Sequence, residues 1–155
     1  MQFSVDDNLL NDELNTSIKN LSSSNRRKIA KEIAFRTRAN RSDQIKKNVD
    51  PDGKAFEKRK PQKRKGAKRG RMFKKLGARR SMLAKYNPSE AMIGFRGKNL
   101  GIAKIHQEGG LGTVNKQGLK VRYPERRLMG IGRVEREIVR DAIITALANG
   151  THLKD

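Results

Sequence analysis

The sequence predicts an α+β fold, helices packed on a small, mainly antiparallel sheet with a long basic loop, and three observations carry that prediction. Apolar residues recur at helical spacing near both ends, short alternating runs occupy the second half, and from Lys58 to Arg80 thirteen of twenty-three residues are Lys or Arg with no Asp or Glu. Helix, helix, strands, helix is the order expected of helices laid on one face of an antiparallel sheet. With 155 residues, 34% of them hydrophobic, the chain can close a modest core if the basic stretch is left out of it. One domain over 1–155 is expected: N-terminal helices over 10–48, a basic loop or arm over 54–71, and sheet plus C-terminal helix over 72–150.

Leu10, Leu14, Ile18 and Leu21 fall within one narrow helical face and predict the first helix. Asp6, Asp7, Asp12 and Glu13 against Lys19 give residues 1–21 a net charge of −3, opposite in sign to the loop. Acidic residues at a helix start suit the macrodipole, and they could also face a neighbour's basic loop. Ser22 to Ser24 offer N-caps for a second helix to about Lys47, with Ile29, Ala30, Ile33, Ala34, Thr37 and Ile45 opposite Arg27, Lys31 and Arg38. It stops at Asp50-Pro51-Asp52-Gly53, a turn in which Pro51 restricts its predecessor and Gly53 permits positive φ.

Pro61, Gly66, Gly70 and Gly77 interrupt helical periodicity in the basic stretch, so residues 57–71 read as an extended loop. Met72, Phe73 and Leu76 then make an apolar turn ending at Gly77. Strands are expected over Ser81–Tyr86 and Ala91–Phe95 around an Asn87-Pro88-Ser89 turn. Ile102 to His106 fits a strand or a short helix. Gly109, Gly110 and Gly112 predict a flexible loop before an alternating strand at Leu119–Tyr123, which Pro124 ends. The last helix runs from about Arg133 to Asn149, with Val134, Ile138, Val139, Ala142, Ile143 and Ala146 on its apolar face and Gly150 as C-cap.

Subtracting the thirteen loop cations from the total of +21 leaves +8 on the other 132 residues, so the charge asymmetry is local. Crowded like charges repel unless a polyanion or an acidic protein surface neutralises them. The absence of Cys removes disulfides and thiol nucleophiles, and two His leave little for a metal site. The N-terminus lacks a basic region followed by an apolar run, and Ala142–Ala148 is too short to span a bilayer. A soluble protein without membrane association, made and kept in the cytoplasm, is expected.

No catalytic constellation emerges. Gly94-Phe95-Arg96-Gly97-Lys98-Asn99 has two residues between its glycines where a P-loop needs four, and Gly130-Ile131-Gly132 lacks the third glycine of a dinucleotide turn. His106 near Glu108 has no second His, Cys or acidic cluster to act with. Five Phe and two Tyr are scattered rather than interleaved with cations, which argues against base stacking. Composition alone supports sequence-blind binding to a polyanion backbone.

Several fragments in order resemble the virion morphogenesis, or tail completion, family of contractile-tailed bacteriophages, S-type with a Mu-like relative. They are Arg26–Ala34 (RRKIAKEIA), the Pro-Asp-Gly turn with Phe56 and then Arg59-Lys60-Pro61, Arg69–Leu76 (RGRMFKKL), Ile105-His106-Gln107-x-Gly109, and Val121–Ile131 (VRYPERRLMGI). The stretch from Gly109 to Gly118 departs from the family's pattern. The resemblance implies a non-enzymatic structural protein, without cofactor or metal, that closes the head-proximal end of the tail for joining to the filled head. It further implies a homo-oligomeric, sixfold neck ring that meets the tail tube or terminator and the head-neck connector, located in the virion after assembly in the host cytoplasm.

Arg59, Lys60, Lys63, Arg64, Lys65, Lys68, Arg69 and Arg71 are the expected partner or polyanion contact. Acidic protein surfaces are favoured over DNA, because a dense cationic sleeve would retard DNA sliding through a neck. Sequence-nonspecific nucleic-acid binding through the same loop is the alternative. Gly53, His106, Gln107, Gly109, Tyr123, Pro124 and Arg126 are expected to pin turns and sheet.

Overall fold

A computed structural model describes residues 7–59, 72–113 and 117–151. The predicted amphipathic stretches form α1 (Asp7–Asn20) and α2 (Ser23–Lys46). Ser22 Oγ caps α2 by accepting from the Asn25 N–H at 3.2 Å. At its far end Asp50 Oδ1 accepts from Asp52 N and Lys54 N, and Gly53 sits at φ +86°, which closes the Pro-Asp-Gly turn. The short strands that follow are β1 (Met82–Tyr86) and β2 (Ala91–Phe95), an antiparallel hairpin in which Met82 faces Phe95 and Tyr86 faces Ala91. Asn87 Oδ1 accepts from Ser89 N and Glu90 N and so builds its turn.

The ambiguous stretch is helical: α3 spans Lys98–Glu108 and ends at Gly109, whose φ of +67° an L-residue rarely adopts. The glycine-rich segment expected to be a flexible loop is a strand. Gly110–Thr113 (β3) pairs antiparallel with Lys120–Tyr123 (β4), Gly112 facing Val121. Its glycine serves packing, since a Cβ on Gly112 would lie 2.8 Å from Tyr123 Cε2. The strands therefore form two separate two-stranded sheets, within the α+β class that periodicity predicts. The last helix, α4 (Arg133–Thr151), continues through Gly150, which the sequence marks as its C-cap; glycine's cost is small in a final turn.

α2 is the central element, with the β1–β2 hairpin and α4 both packed against it. The core gathers Ile45, Phe56, Met72, Phe73, Leu76, Met82, Phe95, Ala103 and Leu128. Burying such side chains stabilises the fold by about 1.5–3 kcal/mol each. Arg41, Glu135 and Arg126 are the charged residues buried with it among the described residues. Arg41 is fully buried and donates from Nε and Nη2 to the Leu128 carbonyl and from Nη1 to Gln44 Oε1. Glu135, 1% exposed, accepts from Asn40 Nδ2 at 2.7 Å and from the Gly132 N–H at 3.0 Å. Burial pulls the Arg41 pKa below its ordinary value, while the charges of Glu135 and Asp50 hold it up.

Candidate functional site

The basic stretch has a well-defined root. Before it, Phe56 is buried and its N–H donates to the Asn48 carbonyl at 2.8 Å. After it, Met72, Phe73 and Leu76 are buried in the same core, and the turn closes where the Gly77 N–H meets the Phe73 carbonyl at 2.7 Å. The Phe56 and Phe73 rings meet edge to face, centroids 5.7 Å apart. The row continues from Phe73 to His106 at 4.7 Å and from His106 to Tyr123 at 4.8 Å, each tilted close to edge-on. The two ends flanking the basic stretch, at Phe56 and at Phe73, are thus packed at adjoining points of the core.

Arg126, 5% exposed, governs the departure. Its Nε donates to the Glu57 carbonyl at 2.8 Å and its Nη2 approaches the Lys58 carbonyl at 3.5 Å, while its own N–H donates to the His106 carbonyl at 2.6 Å. Nη1 lies 3.3 Å from His106 Nδ1. A guanidinium only donates, so Nδ1 accepts and the imidazole is neutral with its proton on Nε2. Burial, then the charges of Arg126 and Arg59, push the His106 pKa down to about 4. Burial likewise lowers the Arg126 pKa, and Arg59 adds to the effect while Glu57 opposes it.

The stretch from Pro124 to Gly132 belongs to no helix or strand, and side chains satisfy much of its backbone. Gln107 acts as a surrogate strand, donating from Nε2 to the Met129 carbonyl at 3.0 Å and accepting the Met129 N–H at 2.9 Å. Arg41 holds Leu128, Glu135 holds Gly132, and Arg127 pairs with Asp52 at 2.8 Å. Gly109 lets α3 end against this strap, because a Cβ there would sit 3.1 Å from the Glu125 nitrogen. The structure thus brings His106, Gln107, Gly109, Tyr123 and Arg126 together, with the half-buried Pro124 following Tyr123, and Gly53 lies in the turn leading to the root.

Among the expected contact residues Arg59 is described and exposed; Lys60, Lys63, Arg64, Lys65, Lys68, Arg69 and Arg71 lie outside the described residues. The flanking cations Lys58, Lys74, Lys75, Arg79 and Arg80 are exposed too, so around the root apolar side chains point in and charges point out. Beside it lies an open cleft of about 560 Å³ whose lining includes Asp50, Asp52, Glu57, Glu125, Arg126 and Arg127. Among the described residues no group of three His, Cys, Asp or Glu could hold a metal ion, and no helix is long and apolar enough to cross a membrane. The arrangement is suited to presenting a cationic segment from a fixed base.

Sequence reading missed Arg41 and Glu135. The signal was there: Arg41 stands four residues after Thr37 and four before Ile45, on the apolar face of α2, and Glu135 stands three before Ile138 on that of α4.

No solved structure matches the chain. It is similar to Tail completion protein S of Escherichia phage P2, 31% identical over 140 residues that cover 88% of this chain and 93% of that protein. Residues 5–148 match the model of the phage virion morphogenesis family, a span that includes the root, the strap and most of α4. The chain therefore belongs to the phage virion morphogenesis family.

Proposed function

We propose that this chain is a structural, non-catalytic component of the phage tail. It completes the head-proximal end and takes part in head–tail joining as a homo-oligomeric neck ring, sixfold to match a tail tube, in a virion assembled in the host cytoplasm. The observation that carries this reading is the similarity to a tail completion protein over 88% of the chain. Arg59, Lys60, Lys63, Arg64, Lys65, Lys68, Arg69 and Arg71 contact acidic surfaces of the tail tube or terminator and of the head-neck connector. A ring repeats each surface feature, so one rooted cationic segment per copy becomes a girdle of charge. Gly53, His106, Gln107, Gly109, Tyr123, Pro124 and Arg126 hold the base from which it projects.

The test is charge reversal at Arg64, Lys65, Lys68 and Arg69. The variant is expected to keep the wild-type thermal midpoint and to lose head–tail joining in a complementation assay; joining at the wild-type level defeats the assignment.

Thirteen cations without an acidic residue also favour a second reading, sequence-nonspecific binding of nucleic acid. If half of them met phosphates of duplex DNA, log affinity would fall against log salt with a slope of roughly −6. Tight binding at physiological salt, with no affinity for tails, would put this reading first.

A further inference from the structure

The aromatics are scattered along the sequence, yet on one flank of α2 the fold interleaves two of them with cations. Arg27, Lys31, Phe35 and Arg38 recur at spacings of four, four and three and so form one stripe along the helix. Tyr86, at the end of β1, joins it from the hairpin. Its ring centroid lies 6.0 Å from that of Phe35, and the Arg27 guanidinium stands 5.7 Å from the Tyr86 centroid. At the other end Arg38 lies 4.7 Å from the Phe35 centroid. The row runs Arg27, Tyr86, Phe35, Arg38, and from Arg27 to Arg38 the helix rises about 16 Å.

This row faces solvent. Phe35 is 40% exposed, and Arg27, Lys28 and Lys31 are exposed beside it. Among the described residues none of Arg27, Lys28, Lys31 and Arg38 is in an ion pair, and Arg38 Nε has no hydrogen-bond partner. The carboxylates close by in sequence are engaged: Glu32 pairs with Arg36 at 3.0 Å, and Glu90 accepts from Asn87 Nδ2 at 3.0 Å. The surface is therefore cationic where its rings are exposed.

Seating β1 on α2 accounts for the half-buried Tyr86. It does not account for four unpaired cations around an exposed ring, which repel one another until an anion arrives. An acidic peptide would meet the charges and leave the rings unused. A single-stranded nucleic acid brings phosphates and uncovered base faces together, and bases stack on aromatic rings or on arginine planes. We propose that this row binds single-stranded nucleic acid, bases stacking along Tyr86, Phe35 and their arginines while phosphates meet Lys28 and Lys31. The site is built from α2 and β1 and uses no residue of the basic stretch.

The chain has no Trp, so Phe35→Trp sets one reporter in the row. Oligothymidylate of about twelve nucleotides, within the span such surfaces cover, is expected to quench its fluorescence. Full-length wild-type protein is expected to bind this strand about tenfold more tightly than an abasic strand of equal length or poly-glutamate. Phe35→Ala is expected to remove that preference, whereas Lys28→Gln with Lys31→Gln, both exposed, weakens the two strands alike. Charge reversal at Arg64, Lys65, Lys68 and Arg69 is expected to leave the quench at saturation unchanged. Failure to bind any probe, equal affinity for the abasic strand, or binding without a quench overturns the proposal. A quench abolished by the charge reversal overturns it by moving the site to the basic stretch, and tighter binding of poly-glutamate overturns it in favour of an acidic protein partner.

Discussion

Arg126 reaches across the fold to the carbonyl of Glu57, donating from Nε at 2.8 Å from within the core. One guanidinium thereby couples the strap after β4 to the residue from which the basic stretch departs.

Arg126→Lys keeps the charge and loses the planar fork, so the Glu57 and Lys58 carbonyls and His106 Nδ1 cannot all be served. A loss of about 2 kcal/mol is expected in denaturant titrations. For a chain of 155 residues this lowers Tm by about 4–8 °C. An unchanged midpoint would mean that the root is held by its aromatic row alone.

His106 gives stability a pH dependence. Its folded pKa of about 4 lies below the ordinary 6.5, so between these values the unfolded chain binds more protons than the folded one. Stability from this residue is complete above about pH 6.5 and is lost as pH falls toward 4. Thermal scans from pH 7 to 4 are expected to show a decline that His106→Gln flattens. A parallel decline in the variant would assign the effect to carboxylates.

Gly132→Ala places a Cβ 1.9 Å from the Pro51 carbonyl oxygen and 2.6 Å from its carbon, a clash with the backbone of a fully buried residue. The expected cost is about 4 kcal/mol or failure to fold. At Gly94, where a Cβ meets nothing within 4 Å, the same change is expected to stay within about 1 kcal/mol, and urea midpoints compare the two directly.

Arg41→Met strands the Leu128 carbonyl and removes the charge facing Glu135. A loss of about 3–5 kcal/mol is expected. With Glu135→Gln added, the double variant should lose less than the sum of the single losses, because the two charges share one buried environment. Strict additivity in chemical denaturation would show that they act independently.

Periodicity revealed α1, α2, α4 and the β1–β2 hairpin because each carries its apolar pattern locally, whereas the five residues from Ile102 to His106 are too few to separate helix from strand and only the structure makes them part of α3. β3 stayed hidden for a physical reason: Gly110 and Gly112 read as freedom of the backbone, yet Gly112 is there to admit the Tyr123 ring, which arrives from β4. His106, Gln107, Tyr123 and Arg126 stood out in sequence, but their convergence at the root needs the packing of α3 against the strap. Arg41 and Glu135 escaped because their partners lie 87 and 95 positions away, and charged side chains read locally as solvent-facing.

Phe56 and Phe73 in contact have one more consequence, for change over time. With both ends fixed by the body, residues 60–71 can be exchanged for a segment of another length at small cost, since doubling a flexible loop adds only about 0.6 kcal/mol of closure entropy. Charge, length and sequence there can be exchanged to suit a different partner while the scaffold keeps its stability. Among relatives, host or partner adaptation is therefore expected to concentrate between these two rings.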